Sequence, residues 1–382
     1  MRMPQARGRD DDLCQDTATW RLTERQLCDY ELIANGAFAP LVSFLGRHDY
    51  ESVCRDMRLA DGTLWPIPVM LDVPEEVVRA CSGSTALVLR DQYDRELAVL
   101  SVTQAWRADH LAEADAVLGT TDPAHPWVHR LTHHTNPWYV TGDLRVLQTP
   151  VHPALPPLVH SPAEVKADFQ HRGWTRVVAF NTRNPMHGAH RALVLRAAET
   201  EGSCLFIHPV VGPTRPGDVP APVRARCYQA IMQTLDAERA KLSLLPLAMR
   251  MAGPREALWH AIIRRNYGAT AFVVGRDHAG PGADSAGRPF YHEYAAQHLV
   301  ETYQHEIGIR MVAAQELAYV DGLGYLARDE IPPDRVAQPV SGTLLRRYLA
   351  EGRDIPSWLA PPEVAAELAR SLPERSEQHT DC

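Results

Sequence analysis

From Trp174 onward, short β-branched apolar runs alternate with helical stretches, and no other feature constrains the fold as much. Residues 175–180 (T-R-V-V-A-F) read as a strand and 187–201 as a helix; strand 205–211, helix 223–235, strand 242–247 and helix 255–266 follow. Strand 270–275, helix 294–306 and strand 309–313 complete the series. Such alternation predicts an α/β fold, a parallel sheet covered on both faces that binds ligands at the carboxyl ends of its strands.

The first 150 residues have a different rhythm, with short strand-like runs separated by turn-forming clusters. Residues 86–90 and 96–102 are expected to pair as a hairpin in which Leu87 and Leu89 face Leu97 and Val99. The stretch 149–157 (T-P-V-H-P-A-L-P-P) can continue neither a helix nor a central strand, because proline removes the N–H that either ladder needs. The expected division is a β-rich domain over 1–150, a catalytic domain over 151–318 and a small C-terminal domain over 319–382. In the last, the chain is loop-like beyond Tyr319 until Ser341 or Thr343 caps a helix over 344–351. A length of 382 residues suits two or three such domains.

Residues 181–190 (N-T-R-N-P-M-H-G-A-H) leave a strand and enter a helix. Unpaired backbone N–H groups and the positive helix end then lie beside whatever binds, which makes an anion site. Arg183 adds a planar charged fork for phosphate or sulfate oxygens, and Thr182 and Asn184 add neutral donors. His187 and His190, three apart, share a helix face and can reach one phosphate. An isolated H-x-x-H pair is more often a cap and a polar niche residue; the strand before it, the helix after it and Arg183 upstream reverse that preference. A second loop, 275–282 (G-R-D-H-A-G-P-G), leaves another strand on the same sheet edge. Its glycines let the backbone approach a ligand, and Arg276 and the N–H of Ala279 can meet an anion.

A formal net charge of -8 without a Lys/Arg stripe excludes nucleic acid as a partner and leaves anion binding to local groups. The seven scattered cysteines, with no C-x-x-C pair, read as reduced thiols without structural zinc. The first twelve residues lack the apolar core of a signal peptide and nowhere do 18 apolar residues run together, so a cytoplasmic protein without membrane association is expected. The run Asp10, Asp11 and Asp12 needs no function. His125, His129, His133 and His134 are set aside as a metal stripe because no carboxylate or cysteine of suitable spacing accompanies them. Trp259 lies in an amphipathic stretch and is assigned to the core.

Five segments occur in the order found in ATP sulfurylases: T-R-N-P-x-H-x-x-H, H-P-V-V-G-x-T-R-P-G-D (208–218), S-L-L-P-L-A-M-R-M-A-G-P-R-E (243–256), G-R-D-H-A-G-P-G and S-G-T (341–343). The segment R-Q-L-C-D-Y-E-L-I-A-N-G-A-F-A-P-L (25–41) also resembles that family, so the resemblance covers about 20–370. It implies an N-terminal PUA-like β-rich domain, a Rossmann-like nucleotidyltransferase domain and a small C-terminal domain, with no kinase-type fourth domain. It implies sulfate adenylyltransferase activity, in which sulfate attacks the α-phosphorus of ATP in line and pyrophosphate leaves. Thr182, Arg183 and Asn184 would be the active-site residues, with His187 and His190 stabilising the transition state. Asn181, Arg183 and Ala279 would bind sulfate. ATP would lie across Asn181, Thr182, Arg183, Asn184, Gly275, Arg276, Asp277 and His278, with Leu317 near the adenine. Mg2+ would travel with ATP, no metal site of the protein's own is implied, and a homo-oligomer is expected.

The sequence departs from the family at four places. Asn181 replaces a usual glutamine, Ala314 and Glu316 stand where a bulky aromatic and R-M-V are commoner, Gly188 replaces a frequent arginine, and Arg215 replaces a frequent lysine. The first two changes open an alternative in which the same chemistry serves a different or larger oxyanion such as a phosphonate, and Asn181→Gln would then restore sulfate use. A non-catalytic, nucleotide-binding regulatory subunit is the second alternative.

Overall fold

The computed structural model describes residues 18–82, 86–215 and 217–371. Cys14, Cys382, Asp10, Asp11 and Asp12 lie outside the described residues, as does Pro216 of the 208–218 segment. Two compact units divide the chain, one of residues 1–121 with 128–151 and the other of 122–127 with 152–382.

The first unit runs β1 (Ala18–Arg21), α1 (Glu24–Ala34), α2 (Arg47–Asp56), β2 (Leu71–Val73), α3 (Glu75–Cys81), β3 (Ala86–Arg90), β4 (Glu96–Arg107), α4 (His110–Leu118), all but the first two residues of α5 (Pro126–His133) and β5 (Trp138–Val146). Its sheet has the order β1-β3-β4-β5-β2, antiparallel except where β1 meets β3. The expected hairpin forms, but its register pairs Leu87 with Leu100 and Leu89 with Ala98. A bulge between Leu89 and Arg90 shifts the pairing, so the neighbours Leu97 and Ala98 are both buried and Val99 is not. The segment 25–41 makes α1, opened by a capping box between Thr23 and Gln26. The hydroxyl of Tyr30 lies 2.7 and 2.8 Å from the carbonyls of Leu97 and Gln148 and shares its one proton between them, tying that helix to the sheet.

The second unit contains α6 (Pro162–His171), β6 (Val177–Phe180), α7 (Gly188–Glu201), β7 (Cys204–Ile207), α8 (Ala221–Met232), β8 (Ala240–Leu242), α9 (Gly253–Asn266), β9 (Ala271–Val274), α10 (Ala295–Ile307) and β10 (Arg310–Ala313). Then come β11 (Leu317–Val320), β12 (Gly324–Ala327), β13 (Ala337–Pro339), α11 (Gly342–Ala350) and α12 (Pro362–Arg370). The main sheet is wholly parallel with the order β10-β9-β6-β7-β8. Strands β6 and β9 are buried at every residue, as expected of a parallel sheet covered on both faces.

Two expected strands are shorter than their apolar runs. The run 205–211 stops at Ile207, just before Pro209, which has no N–H for a ladder, and of the run 242–247 only Leu242 joins β8; a single bridge, Val210 to Leu245, follows. After Tyr319 the chain is not loop-like. It forms a three-stranded antiparallel sheet, β12-β11-β13, and α12, whose Val364 and Leu368 enter the same apolar core as Val178 and Ile207. Among the described residues no helix is long and apolar enough to cross a membrane.

The strand order matters for function. From central β6 the chain winds one way through β7 and β8, then returns to β9 and β10 on the other side. The reversal falls between β6 and β9, which pair with Phe180 opposite Val273. The loops that start at Asn181 and Gly275 therefore begin side by side at the switch point of the sheet, where open α/β sheets bind ligands.

Candidate active site

A cavity of about 380 Å³ opens at this point, lined by Asn181, Thr182, Arg183, Asn184 and His190 from the first loop and helix. Gly275, Arg276, Asp277, His278 and Ala279 line it from the second. Four arginines, Arg183, Arg215, Arg276 and Arg346, share that wall with one carboxylate, Asp277. The balance favours a polyanion in a protein whose net charge is negative.

The first loop is held by its own side chains. The Asn184 N–H donates to Thr182 Oγ1 at 3.1 Å, closing a tight turn. Arg224, buried, donates to the carbonyls of Arg183 and Val210 at 2.9 and 2.7 Å, and the Tyr228 hydroxyl donates to the Asn184 carbonyl at 3.0 Å. Arg183 Nη1 pairs with Asp218 Oδ2 at 2.6 Å.

Helix α7 begins with His187 as its cap. Its Nδ1 accepts from the His190 N–H at 3.3 Å, and the two rings stack with centroids 3.7 Å apart and planes 14° apart. Burial holds the pKa of His190 down to about 4, and burial followed by repulsion from His190 holds His187 well below the ordinary histidine range. The pair is neutral at neutral pH. It can donate hydrogen bonds without carrying a charge of its own.

The second loop is bent where its residues depart from ordinary backbone. Asp277 and Ala279 both adopt left-handed conformations, with φ of 50° and 56°, and burial raises the Asp277 pKa. Arg276 is splayed between Glu293 at 3.0 Å and Glu316 at 3.2 Å at the exposed rim.

All the expected site residues come together at this cavity except two. Leu317 does not line it: its side chain is buried in β11 and packs with Ala189 and Ala327. His187 also lies outside the lining, behind His190. Conversely, Arg346 belongs to the site although the sequence alone does not point to it. It reaches the cavity from α11, the helix capped by the Ser341 hydroxyl, and donates to Asn184 Oδ1 at 3.0 Å. Its signal lies in the S-G-T motif, since a residue three beyond Thr343 shares its face. Arg215 and Asp218 lie inside the 208–218 motif and gain a role only here, beside Arg183.

The ATP-sulfurylase family model matches residues 156–371, and a PUA-like domain model matches 5–149. The chain is 47% identical over 365 residues to a sulfate adenylyltransferase of Saccharomyces cerevisiae, covering 95% of this chain and 71% of that protein. Against the Coccidioides immitis sulfate adenylyltransferase the identity is 48% over 361 residues, covering 94% of this chain and 63% of that one. Among solved structures, the hexameric APS kinase from Thiobacillus denitrificans matches with a TM-score of 0.73 and 28% identity, covering 93% of this chain and 63% of that chain.

Proposed function

The chain belongs to the ATP-sulfurylase family, and on that premise we propose that it is a sulfate adenylyltransferase, converting ATP and sulfate to adenylyl sulfate and pyrophosphate. The observation that carries this is the meeting of two arginine-bearing loops at the switch point of a parallel sheet. Phosphoryl-type transfer depends chiefly on positioning and on neutralising charge on phosphate oxygens, and needs no protein nucleophile.

In this reading Asn181 to Asn184 and Gly275 to His278 hold ATP, Arg183 and the Ala279 N–H meet sulfate, and His190 donates to the phosphate under attack. His187 acts behind it by fixing the start of α7. Arg215 and Arg346 face the leaving pyrophosphate. Among the described residues no group of three or more His, Cys, Asp or Glu could hold a metal; Mg2+ is proposed to arrive on the nucleotide, where it neutralises phosphate charge. A homo-oligomer, a cytoplasmic location and a three-part division near 150 and 318 belong to the same proposal.

Incubation with ATP, Mg2+ and sulfate should release pyrophosphate and form adenylyl sulfate, and chelating the metal should stop it. No product at high protein concentration sinks the proposal. A second reading concerns the acceptor alone, because Ala314 lines the cavity and leaves room there. A phosphonate that outcompetes sulfate in the same assay would favour it.

A further inference from the structure

Behind the cavity wall, a row of buried polar side chains joins the two loops through His260 of α9, a residue with no part in the chemistry described so far. Arg264 Nη2 donates to Asn181 Oδ1 at 2.8 Å and to the His208 carbonyl at 2.9 Å. Asn181 Nδ2 is 3.1 Å from His260 Nδ1, and the same Nδ1 is 3.0 Å from His278 Nε2. The Gly275 N–H meets His278 Nδ1 at 3.3 Å, and His260 Nε2 faces Glu256 Oε1 at 3.4 Å. Glu256 is itself fixed by the N–H groups of Arg250 and Ala252, at 3.0 and 2.9 Å. Glu256, His260 and Arg264 are completely buried.

One set of proton positions fits the contacts that run from Arg264 to Gly275. An arginine only donates, so the amide atom facing Arg264 is the oxygen and the atom facing His260 is the NH2. His260 Nδ1 must then accept and carries no proton, which leaves its proton on Nε2, on the Glu256 side but without a hydrogen bond to it. His278 must donate to the same Nδ1 through Nε2, and its own Nδ1 accepts from Gly275. Each hydrogen bond fixes the direction of the next.

Resting on the proposed adenylyl transfer, we infer that His260 is a positioning residue that locks the two anion-binding loops together by sharing the single lone pair of its Nδ1 between the Asn181 amide NH2 and the His278 Nε2–H. Asn181 opens the first loop, and His278 lies within the second. Both polar atoms of the Asn181 amide are used inside this row, so its side chain orders the wall. Burial keeps both imidazoles neutral, with the His278 pKa held down to about 3, so the lock is unaffected by pH near neutrality.

The test has a part that needs no substrate. In the full chain labelled with 15N-histidine, His260 and His278, assigned through the His260→Asn and His278→Gln variants, should each show a bare Nδ1 and a protonated Nε2 between pH 6 and 8. A protonated Nδ1 on either ring overturns the inference. In kinetics, His260→Leu, which has no acceptor, should raise KM for ATP and for sulfate together by about tenfold and lower kcat by about 100-fold, as expected for loosened reactant geometry. His260→Asn keeps an acceptor near the Nδ1 position and should recover most of that loss. Unchanged kinetics in a folded His260→Leu protein, or equal loss in both variants, overturns it. Should His260→Leu fail to fold, His278→Phe against His278→Gln must show the same split, and equal behaviour of that pair counts against the lock. A wild-type chain that makes no pyrophosphate would sink the functional reading, while the imidazole signals would still decide independently for or against the lock.

Discussion

Asp218 holds Arg183 across the cavity wall, carboxylate to guanidinium at 2.6 Å, with the Arg215 N–H donating to the same oxygen at 3.2 Å and Arg346 3.7 Å from the other. One carboxylate thus holds the guanidinium of Arg183 and the main chain of Arg215 and offsets the charge of the nearby Arg346. Asp218→Asn keeps the shape and removes the charge. The loss of a charge-assisted hydrogen bond is about 1.5–3 kcal/mol, so kcat/KM should fall roughly 10- to 150-fold with little change in melting temperature. Pyrophosphate release measures it, and a variant as active as wild type would rule out the orienting role.

Acid should unfold the second unit early. Burial depresses the pKa of His125, His190 and His278 to about 4, 4 and 3, and places His187, His208 and His260 well below the ordinary value as well. Above about pH 6.5 each is neutral both folded and unfolded, so stability is flat. Below it the unfolded chain takes up protons that the folded chain refuses, and each histidine removes about 1.4 kcal/mol per pH unit until its folded pKa is reached. Six together remove about 8 kcal/mol over the first unit, comparable with the whole stability of a typical domain. Melting temperature should hold from pH 8 to 6.5 and then drop steeply. A flat profile down to pH 4.5 would contradict the buried neutral state of these rings.

The β-branched runs at β6 and β9 and the cap at Ser341 are legible in the sequence because each depends on neighbours within one turn or one strand, whereas His187 caps α7, the role that its surroundings in the sequence argue against. The same holds for the two loops, since a strand followed by a helix fixes where its loop lies. What escapes such reading depends on distant partners. Strands β11 to β13 are three or four residues long and pair across turns rich in glycine, aspartate and proline, so no periodicity announces them. His260 is one of eleven buried residues on a helix of fourteen, and nothing along α9 marks it off from Trp259 beside it. Its partners lie 79 residues before it and 18 after it.

Gly188 illustrates a residue whose meaning changes with the structure. In the sequence it reads as a missing positive charge. In the fold a Cβ there would run into the Tyr325 hydroxyl, which donates to the Trp358 carbonyl at 2.7 Å, while the Gly188 N–H donates to the Leu359 carbonyl at 3.1 Å. Only glycine lets the start of α7 close onto this segment. Gly188→Ala should cost about 1–3 kcal/mol through overpacking and displace His187 and His190. Activity should fall with stability, and adding Tyr325→Phe should recover part of both, as a thermal melt and a double-mutant cycle would record. A lone Gly188→Ala with wild-type stability would refute the close approach.

Asn181→Gln separates two accounts of the same residue. If the shorter side chain merely enlarges the acceptor site, the glutamine restores sulfate use. With the amide bound on both sides by Arg264 and His260, one added methylene cannot keep both contacts. A buried polar group left unpaired costs about 1–3 kcal/mol. The loss should therefore fall on every acceptor alike, with kcat/KM down roughly 5- to 150-fold for sulfate and for a phosphonate and their ratio unchanged. Pyrophosphate release on both acceptors decides it: a gain confined to sulfate would return Asn181 to the oxyanion pocket and remove it from the row that joins the loops.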